Sequence, residues 1–541
     1  MPEKPEFRAD IEALRAVAVL AVVLFHAHVP GFSGGFFGVD IFFVISGFLI
    51  TGVLVRELER TSTINLVAFW ARRAWRLLPN ALLVFCVSLA AMRLLVPATE
   101  HAMIGRDIVS AILYFANYHF AGRALDYFDH AQTLSPVLHF WSLSVEEQFY
   151  AFVPCLLLVV GKLAGPTNRR PIIVLSVGIL ALSYACAVVW SRYSQPNAFF
   201  NTESRIWELC VGGILMLILP HIESARPGLR KSMAWCGLLG IAASIVLLND
   251  RVPRIELFAP LPVLSTAALI AAGVGPKSAL GRLSALAPLQ WIGRRSYSIY
   301  LWHWPILVFL APALPPTVIS TAAVLAAILA TSALAFSWIE DPLRHFGATD
   351  WRPLTRLAAL LSASATVAAC TLVVSAPTFL HGDKETQRIA KVMAAEADIP
   401  SLAKAGCRDN REETDQACRY GAANGAKRVV LFGDSYARAL FDGMDAAARN
   451  AGWALQVSAK LNCPPILTQA RDRPRGVSDH DCERWRSAAI ERLLKDPPDL
   501  VVITSWLGVA NHFITSSATS RSSARVRMPY GARRSRPCSN V

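Results

Sequence analysis

Charge is what this 541-residue chain has least of. Only 17% of its residues are Asp, Glu, Lys or Arg, against 54% hydrophobic residues, and mean hydropathy is positive at +0.40. A water-soluble globular chain carries about 25% charged residues, so that class is excluded for most of the length. A disordered polymer is excluded too, because it needs few apolar residues and high charge. Metal-ligand clusters are missing: neither the Cys407 and Cys418 spacing nor its surroundings resembles a zinc site, and no metal is expected. Acid is short relative to base, 39 against 53, for a net charge of +14. That excess lies between apolar stretches and in a late arginine run, so it reads as membrane topology. No nucleic-acid partner is expected. A cleavable leader and an internal repeat are also not evident.

What is present is a series of apolar windows, eleven in number: 13–29, 36–54, 80–97, 147–161, 171–190, 206–219, 232–249, 257–275, 296–312, 317–338 and 357–376. Most can span about 30 Å of hydrocarbon with some tilt. The stretch 106–120 is shorter and holds Arg106, Asp107, Asn117 and His119, so it is expected to be interfacial or re-entrant. With the N-terminus inside, inner loops would carry eighteen Lys and Arg and outer loops about six, as the positive-inside rule requires. An odd number of spans then puts everything after residue 377 outside the cytoplasm. The expected fold is a polytopic α-helical membrane domain of about ten core spans plus one linking span, followed by a partial α/β extracytoplasmic domain.

The expected boundaries are 8–345 for the membrane domain, 346–377 for a linking loop and added span, 378–426 for a linker, 427–511 for the α/β part and 512–541 for a tail. Arg428–Phe432 reads as a short buried strand, Gly433-Asp434-Ser435 as a turn, 436–450 as an amphipathic helix and 499–504 as a second strand, the signature of an α/β layer. The tail is rich in Ser and Arg and has no acid. It reads as disordered or, more sharply, as a frame change or truncation, since the α/β pattern stops early. Cys86, Cys155, Cys186, Cys210, Cys236 and Cys370 lie in or near spans and suit packing. Cys407, Cys418, Cys463 and Cys482, in an oxidising compartment, are expected to form two disulfides with connectivity open.

Ionisable residues inside the windows are the candidates for chemistry, because charge in hydrocarbon costs roughly 2.5–3.5 kcal/mol on insertion scales. Arg15 and His26 sit eleven residues apart in the first window, on one helix face roughly 16 Å apart. Arg72, Arg73 and Arg76 cluster at the inner mouth of the third window, where guanidinium forks suit phosphate and also suit plain anchoring. Glu146 and Glu147 open the fourth window within His139–Tyr150, which also holds Ser142. Arg205 and Glu208 share a face and could form an ion pair. Tyr300 and His303 lie in an aromatic-rich stretch ending Trp302-His303-Trp304-Pro305.

Taken in order, these stretches resemble the family-3 membrane acyltransferases of the O-antigen acetylase-like type. The matching segments are Arg8–Arg15 with Phe25-His26, Gly34–Phe48 with Asp40, the arginine motif, Trp141–Tyr150 and Tyr297–Pro305, so the resemblance covers residues 8–345. The added span and Gly433-Asp434-Ser435 resemble the fused SGNH-type domain of many members. The resemblance implies transfer of an acyl group, commonly acetyl from cytoplasmic acetyl-CoA, to a hydroxyl of a surface glycan. His26 would be general base or transient acyl acceptor, Glu146 or Glu147 would orient it, and Arg15 would bind the donor or polarise its thioester. Arg72, Arg73 and Arg76 would hold CoA phosphates. Asp40, Ser142, Arg205, Glu208, Tyr300 and His303 would support substrate or structure. The implied setting is a bacterial inner membrane, with a lipopolysaccharide O-antigen, other surface polysaccharide or lipid-linked glycan as acceptor and membrane lipid as surroundings.

The SGNH pattern also needs an Asn, weakly matched by Asn511, and a late Asp-x-x-His. None follows: His512 lacks the spacing and His480 comes too early. Ser435 without a histidine base is a poor nucleophile, so the soluble part is expected to be incomplete and inactive. The rival readings are an acyl-group or lipid transporter, which calls for an inverted repeat, a membrane-anchored glycan esterase, which needs the missing histidine, and a non-catalytic assembly factor.

Overall fold

A computed structural model describes residues 8–125, 135–224, 226–249, 255–273, 278–346, 353–375, 418–460, 463, 465 and 479–505. Its contacts divide the chain into two compact units, 1–391 and 392–541.

Among the described residues the first unit is helical: α1 (Ala9–His26), α2 (Gly38–Thr61), α3 (Leu66–Leu95), α4 (His101–Ile112), α5 (Ala116–Leu125), α6 (Phe140–Ala164), α7 (Arg169–Tyr193), α8 (Gln195–Phe200), α9 (Thr202–Glu223), α10 (Pro227–Leu247), α11 (Pro260–Ala272), α12 (Ala279–Ser284), α13 (Ala287–Arg294), α14 (Ser296–Leu310), α15 (Val318–Ala335), a π-helical turn (Phe336–Glu340), α16 (Asp341–Phe346) and α17 (Pro353–Ser375). Local chemistry sets many starts. Asn65 caps α3 by accepting from the Ala68 N–H at 3.0 Å, and Thr317 caps α15 by accepting from the Ser320 N–H at 3.2 Å, each satisfying an orphan donor of the first turn.

Among the described residues, eight helical segments are long and apolar enough to cross a membrane. The sequence reading expects eleven, and the other three windows are helices of a different kind. α1 has 18 residues but carries Asp10, Glu12 and Arg15, α11 has 13 residues and α14 has 15. All three pack on neighbours: α1 on α2, α13 and α14, α11 on α2, α9 and α10, and α14 on α1, α3 and α15. They differ from the eight in length and charge, which is what sets them apart.

The tightest approach is that of α2 to α9. A Cβ on Gly47 would stand 1.9 Å from the Leu209 carbonyl oxygen, and one on Gly212 would stand 2.0 Å from that of Val44. Only glycine lets these backbones meet, as small residues do between helices in lipid. Gly34, Gly35 and Gly38 do the same where the chain turns back on α1 and α10: the Gly34 N–H donates to the Ile245 carbonyl at 2.8 Å. The polar 106–120 stretch, expected to be interfacial or re-entrant, is made of two short helices. It forms α4 and α5, broken at Tyr114 (φ 52°), with Asp107 fully buried between His119 at 2.8 Å and Arg123 at 2.5 Å. α17, the added span, packs along α3 and α4.

The second unit has strands β1 (Arg419–Gly421), β2 (Arg428–Gly433), β3 (Ala454–Ala459) and β4 (Leu500–Thr504) with helices α18 (Ser435–Ala451) and α19 (Asp479–Lys495). The sheet order is β1-β3-β2-β4, with β2 parallel to both β3 and β4 and β1 antiparallel to β3. Val429, Leu431 and Val457 bury against Phe441 of α18, and Val430 and Phe432 against Trp485 of α19. A central strand covered on both faces explains the unbroken apolar run at 428–432. β1 lies within the stretch read as linker. It is three residues long with one exposed, too brief and too polar to register as a strand. Cys463 and Cys482 form a disulfide, and Cys418 is also disulfide-bonded. Cys407, Asn511, His512 and the tail lie outside the described residues.

Candidate active site

The helical unit holds two neighbouring cavities. The first, about 130 Å³, is lined among others by Arg15 of α1, Ser46 of α2, Arg73 and Arg76 of α3, and Glu146 and Glu147 of α6. The second, about 390 Å³, holds His26, His139 and the rings of Phe25, Phe36, Trp141, Phe199, Phe200 and Trp304. Val39 and Tyr300 line both. The Tyr300 hydroxyl bonds to Ser142 Oγ at 2.5 Å and donates to the His139 carbonyl at 3.1 Å, so the shared wall is fastened to the start of α6.

The spacing of Arg15 and His26 on α1 therefore puts them in different cavities that share the Val39 and Tyr300 wall. In the first cavity Arg15 pairs with Glu12 at 3.0 Å, the Tyr150 hydroxyl donates to Glu146 at 3.1 Å, and Ser46 Oγ bonds to that same hydroxyl. The Arg73 guanidinium lies 5.3 Å from the Tyr150 ring centroid and 5.9 Å from that of Phe69, within cation–π range of both. Arg72 differs from the other two arginines of the motif. It is exposed, does not line the cavity, and pairs with Glu57 at 3.6 Å. In a helix, neighbours at i and i+1 face different ways, and only Arg73 and Arg76 face inward.

The partner of His26 is not a carboxylate. Its Nδ1 stands 3.1 Å from His303 Nε2, with the two rings stacked at an interplanar angle of 18°. Trp304 packs edge-on against it at 4.7 Å. Glu146 and Glu147 lie in the arginine cavity instead.

Asp40, Arg205 and Glu208 line neither cavity. They form a buried ion cluster between α2 and α9, with Arg205 at 3.1 Å from Asp40 and 3.2 Å from Glu208. The same guanidinium lies 5.7 Å from the rings of Trp141 and Phe199, which wall the histidine cavity. Sequence reasoning left out His139, Trp304, Ser46 and Tyr150 as site residues. Tyr150 stands one turn from Glu146 and His139 one turn from Ser142, so a helical-face count on the quoted motif finds both.

In the second unit, Gly433-Asp434-Ser435 ends β2 and begins α18. Asp434 caps the helix by accepting from the Tyr436 N–H at 2.9 Å, and Ser505 donates to its other oxygen at 2.8 Å. A Cβ on Gly433 would stand 2.1 Å from the Thr504 carbonyl oxygen, so glycine is required for β4 to pair there. Because β3 and β4 flank β2 on opposite sides, the turn sits at a topological switch point, where open α/β sheets form crevices. His480 lies on α19.

The model of an "Acyltransferase domain" family matches residues 8–339, and that of an "SGNH domain (fused to AT3 domains)" matches 406–533. The second match takes in β1 and reaches past 511, into the stretch that composition alone sets apart as a tail. O-acetyltransferase OatA of Staphylococcus aureus is 33% identical over 354 residues, which are 63% of this chain and 58% of that protein. Peptidoglycan O-acetyltransferase OatA of Listeria monocytogenes is 32% identical over 351 residues, 62% of this chain and 56% of that one. The chain thus spans a little under three-fifths of the length of these relatives. No solved structure matches. Every helix that lines the two cavities falls inside the 8–339 match, and this chain belongs to the acyltransferase-domain family, with an SGNH-type domain following.

Proposed function

We propose that the chain transfers an acetyl group from cytoplasmic acetyl-CoA to a hydroxyl of a cell-wall glycan. The observation that carries this reading is the pair of cavities sharing Tyr300 and Val39, with guanidiniums in one and His26 in the other. Arg73 and Arg76 supply forked donors for CoA phosphates. Arg15, which lines the same cavity, adds a third cation for the bound donor. The acyl end passes the Tyr300 wall to reach the histidine cavity. There His26 takes the proton of the attacking hydroxyl, the new C–O bond forms as the C–S bond breaks, and the proton passes on to the departing thiolate.

The aromatic lining of the second cavity favours a sugar ring as acceptor, since Trp and Phe faces stack on its C–H faces. Peptidoglycan is the first acceptor to test, because the Listeria relative is named for it. A lipopolysaccharide O-antigen or lipid-linked glycan is the second. The positive-inside distribution favours a cytoplasmic N-terminus and a C-terminal domain on the far side of a bacterial inner membrane. The transporter reading gains nothing from the geometry, as a hydrogen-bonded histidine pair among aromatic rings serves proton transfer better than passage.

The test is the O-acetyl content of glycan from cells producing the chain, with and without His26→Ala. Acetylation that disappears in the variant is the expected result. Equal acetylation in both would remove His26 from the chemistry and this reading with it.

A further inference from the structure

His303 does more than fill the interior. It is fully buried, and its Nδ1 stands 2.6 Å from the backbone carbonyl of Tyr300 one turn earlier. A carbonyl oxygen only accepts, so Nδ1 is the nitrogen that carries the proton. In the neutral ring Nε2 is then a bare acceptor. Nε2 is also the atom 3.1 Å from His26 Nδ1. A hydrogen bond across that gap requires the proton to sit on His26 Nδ1, which leaves His26 Nε2 with its lone pair on the side away from His303.

We propose that His303 is a positioning residue for His26: through the Tyr300 carbonyl and its own Nδ1–H, it fixes His26 as the Nδ1-protonated tautomer and so presents Nε2 as the base toward the acceptor hydroxyl. The role rests on the acetyl-transfer reading for its purpose, but the tautomer does not depend on it. The arrangement is a backbone carbonyl, a histidine and a second histidine in line, in which two neutral rings do what a buried carboxylate does in other hydrolytic and acyl-transfer centres. It also explains why no glutamate needs to stand beside His26.

The Trp302-His303-Trp304-Pro305 stretch supports the device locally. Trp304 packs edge-on against His26 at 4.7 Å and is held by a bond from its Nε1 to the Ser135 carbonyl at 2.7 Å. Trp302 donates to Asn80 at 3.2 Å, and Asn80 donates to Ser298 at 2.9 Å, which in turn donates to Glu340 at 2.5 Å. This chain ties α14 to α3 and to the π-helical turn, a local widening common at functional sites. The helix that carries His303 is thereby pinned on both sides of it. The titratable groups facing His26 are His303 on α14, His139 ahead of α6 and His28 on its own segment. His139 lies beside the Leu301 carbonyl, which Pro305 deprives of its helical N–H partner, and neither of its ring nitrogens meets hydrogen-bond geometry. It is therefore no competitor for the His26 Nδ1 proton.

The experiment is nitrogen-15 NMR on histidine-labelled full-length protein in lipid nanodiscs, with the His26 signals assigned by their loss in His26→Ala. Native protein is expected to show a protonated Nδ1 and an unprotonated Nε2 at His26. His303→Leu is expected to invert this to the Nε2-protonated form and to lower acetyl turnover by on the order of 10²–10⁴-fold with the KM for acetyl-CoA unchanged. His303→Gln, whose amide oxygen reaches the place of Nε2, should keep the native tautomer and most of the turnover. An Nε2-protonated His26 in native protein overturns the proposal, and so does a native tautomer that persists in His303→Leu. If His303→Leu does not fold, the native spectrum and His303→Gln decide alone. A tautomer that inverts in a protein showing no acetyl transfer to any glycan would keep the positioning role and discard the transfer reading.

Discussion

Removing Arg205 is the perturbation whose consequence the structure specifies most fully. The guanidinium sits between Asp40 at 3.1 Å and Glu208 at 3.2 Å, and all three side chains are 5% exposed or less. At an effective dielectric of about 20, opposite charges near 3 Å interact by roughly 5 kcal/mol. Desolvation of three ions and repulsion between the two carboxylates offset much of that gain. Arg205→Met keeps the volume and removes the cation, which leaves two carboxylates facing each other without compensation. Breaking a buried pair in this way costs about 3–5 kcal/mol, and here one cation serves two anions. The assay is thermal unfolding in detergent followed by size-exclusion fluorescence, at neutral pH. Arg205→Met should melt well below native. Arg205→Met combined with Asp40→Asn and Glu208→Gln should recover most of the loss, because the remaining cost was uncompensated charge. A single variant as stable as native, or a triple variant less stable than the single, would refute the reasoning. Turnover should fall along with stability in the single variant, since the same guanidinium backs Trp141 and Phe199 in the wall of the histidine cavity.

Arg73→Ala and Arg76→Ala should each raise the KM for acetyl-CoA by about 10–100-fold, the equivalent of about 1.5–3 kcal/mol for a charged hydrogen bond, whereas the exposed Arg72→Ala should change it little; steady-state kinetics in nanodiscs separate them. Gly47→Leu should abolish the folded monomer peak on size exclusion, because the added side chain meets the Leu209 backbone, while Gly178→Leu, with nothing within 4 Å, should leave it intact. Cys463→Ser with Cys482→Ser should destabilise the soluble unit by about 3 kcal/mol, from the closure of a loop with a sequence separation of 19, read as faster proteolysis within 427–505. Reducing agent, which also opens the Cys418 disulfide, should speed that proteolysis at least as much without touching the helical unit, whose Cys86, Cys155, Cys186, Cys210, Cys236 and Cys370 are free.

The sequence carries some of this plainly and hides the rest for definite reasons. The eight segments that can face lipid announce themselves through hydropathy. The other three windows are apolar enough to be read alongside them, but their helix lengths and end charges, in α1, α11 and α14, come only with the structure. The strand–turn–helix at Arg428–Ala451 is legible from an apolar run ended by Gly433 and a capping Asp434. The brief β1 is not, since nothing in Arg419-Tyr420-Gly421 marks its antiparallel pairing with β3. Within the candidate site, intramembrane charge points to Arg15, His26, Arg73, Arg76 and Glu146. It cannot say which of them meet. The pairing of His26 with a histidine 277 residues away depends on how α1 and α14 cross, and periodicity along one helix holds no information about another. For the same reason the carboxylates expected beside His26 fall in the neighbouring cavity.

α3 has 30 residues, from Leu66 to Leu95, and at about 1.5 Å per residue it is roughly 45 Å long. Hydrocarbon is only about 30 Å thick. The helix is thus longer by about 15 Å than hydrocarbon is thick. The twenty residues from Arg76 to Leu95 would match that thickness by themselves, and with that register the turns bearing Arg72 and Arg73 would stand at headgroup depth. On the proposed reading, the bulk of an anionic donor would then be met at the surface, while only its slender acyl-bearing arm enters the protein.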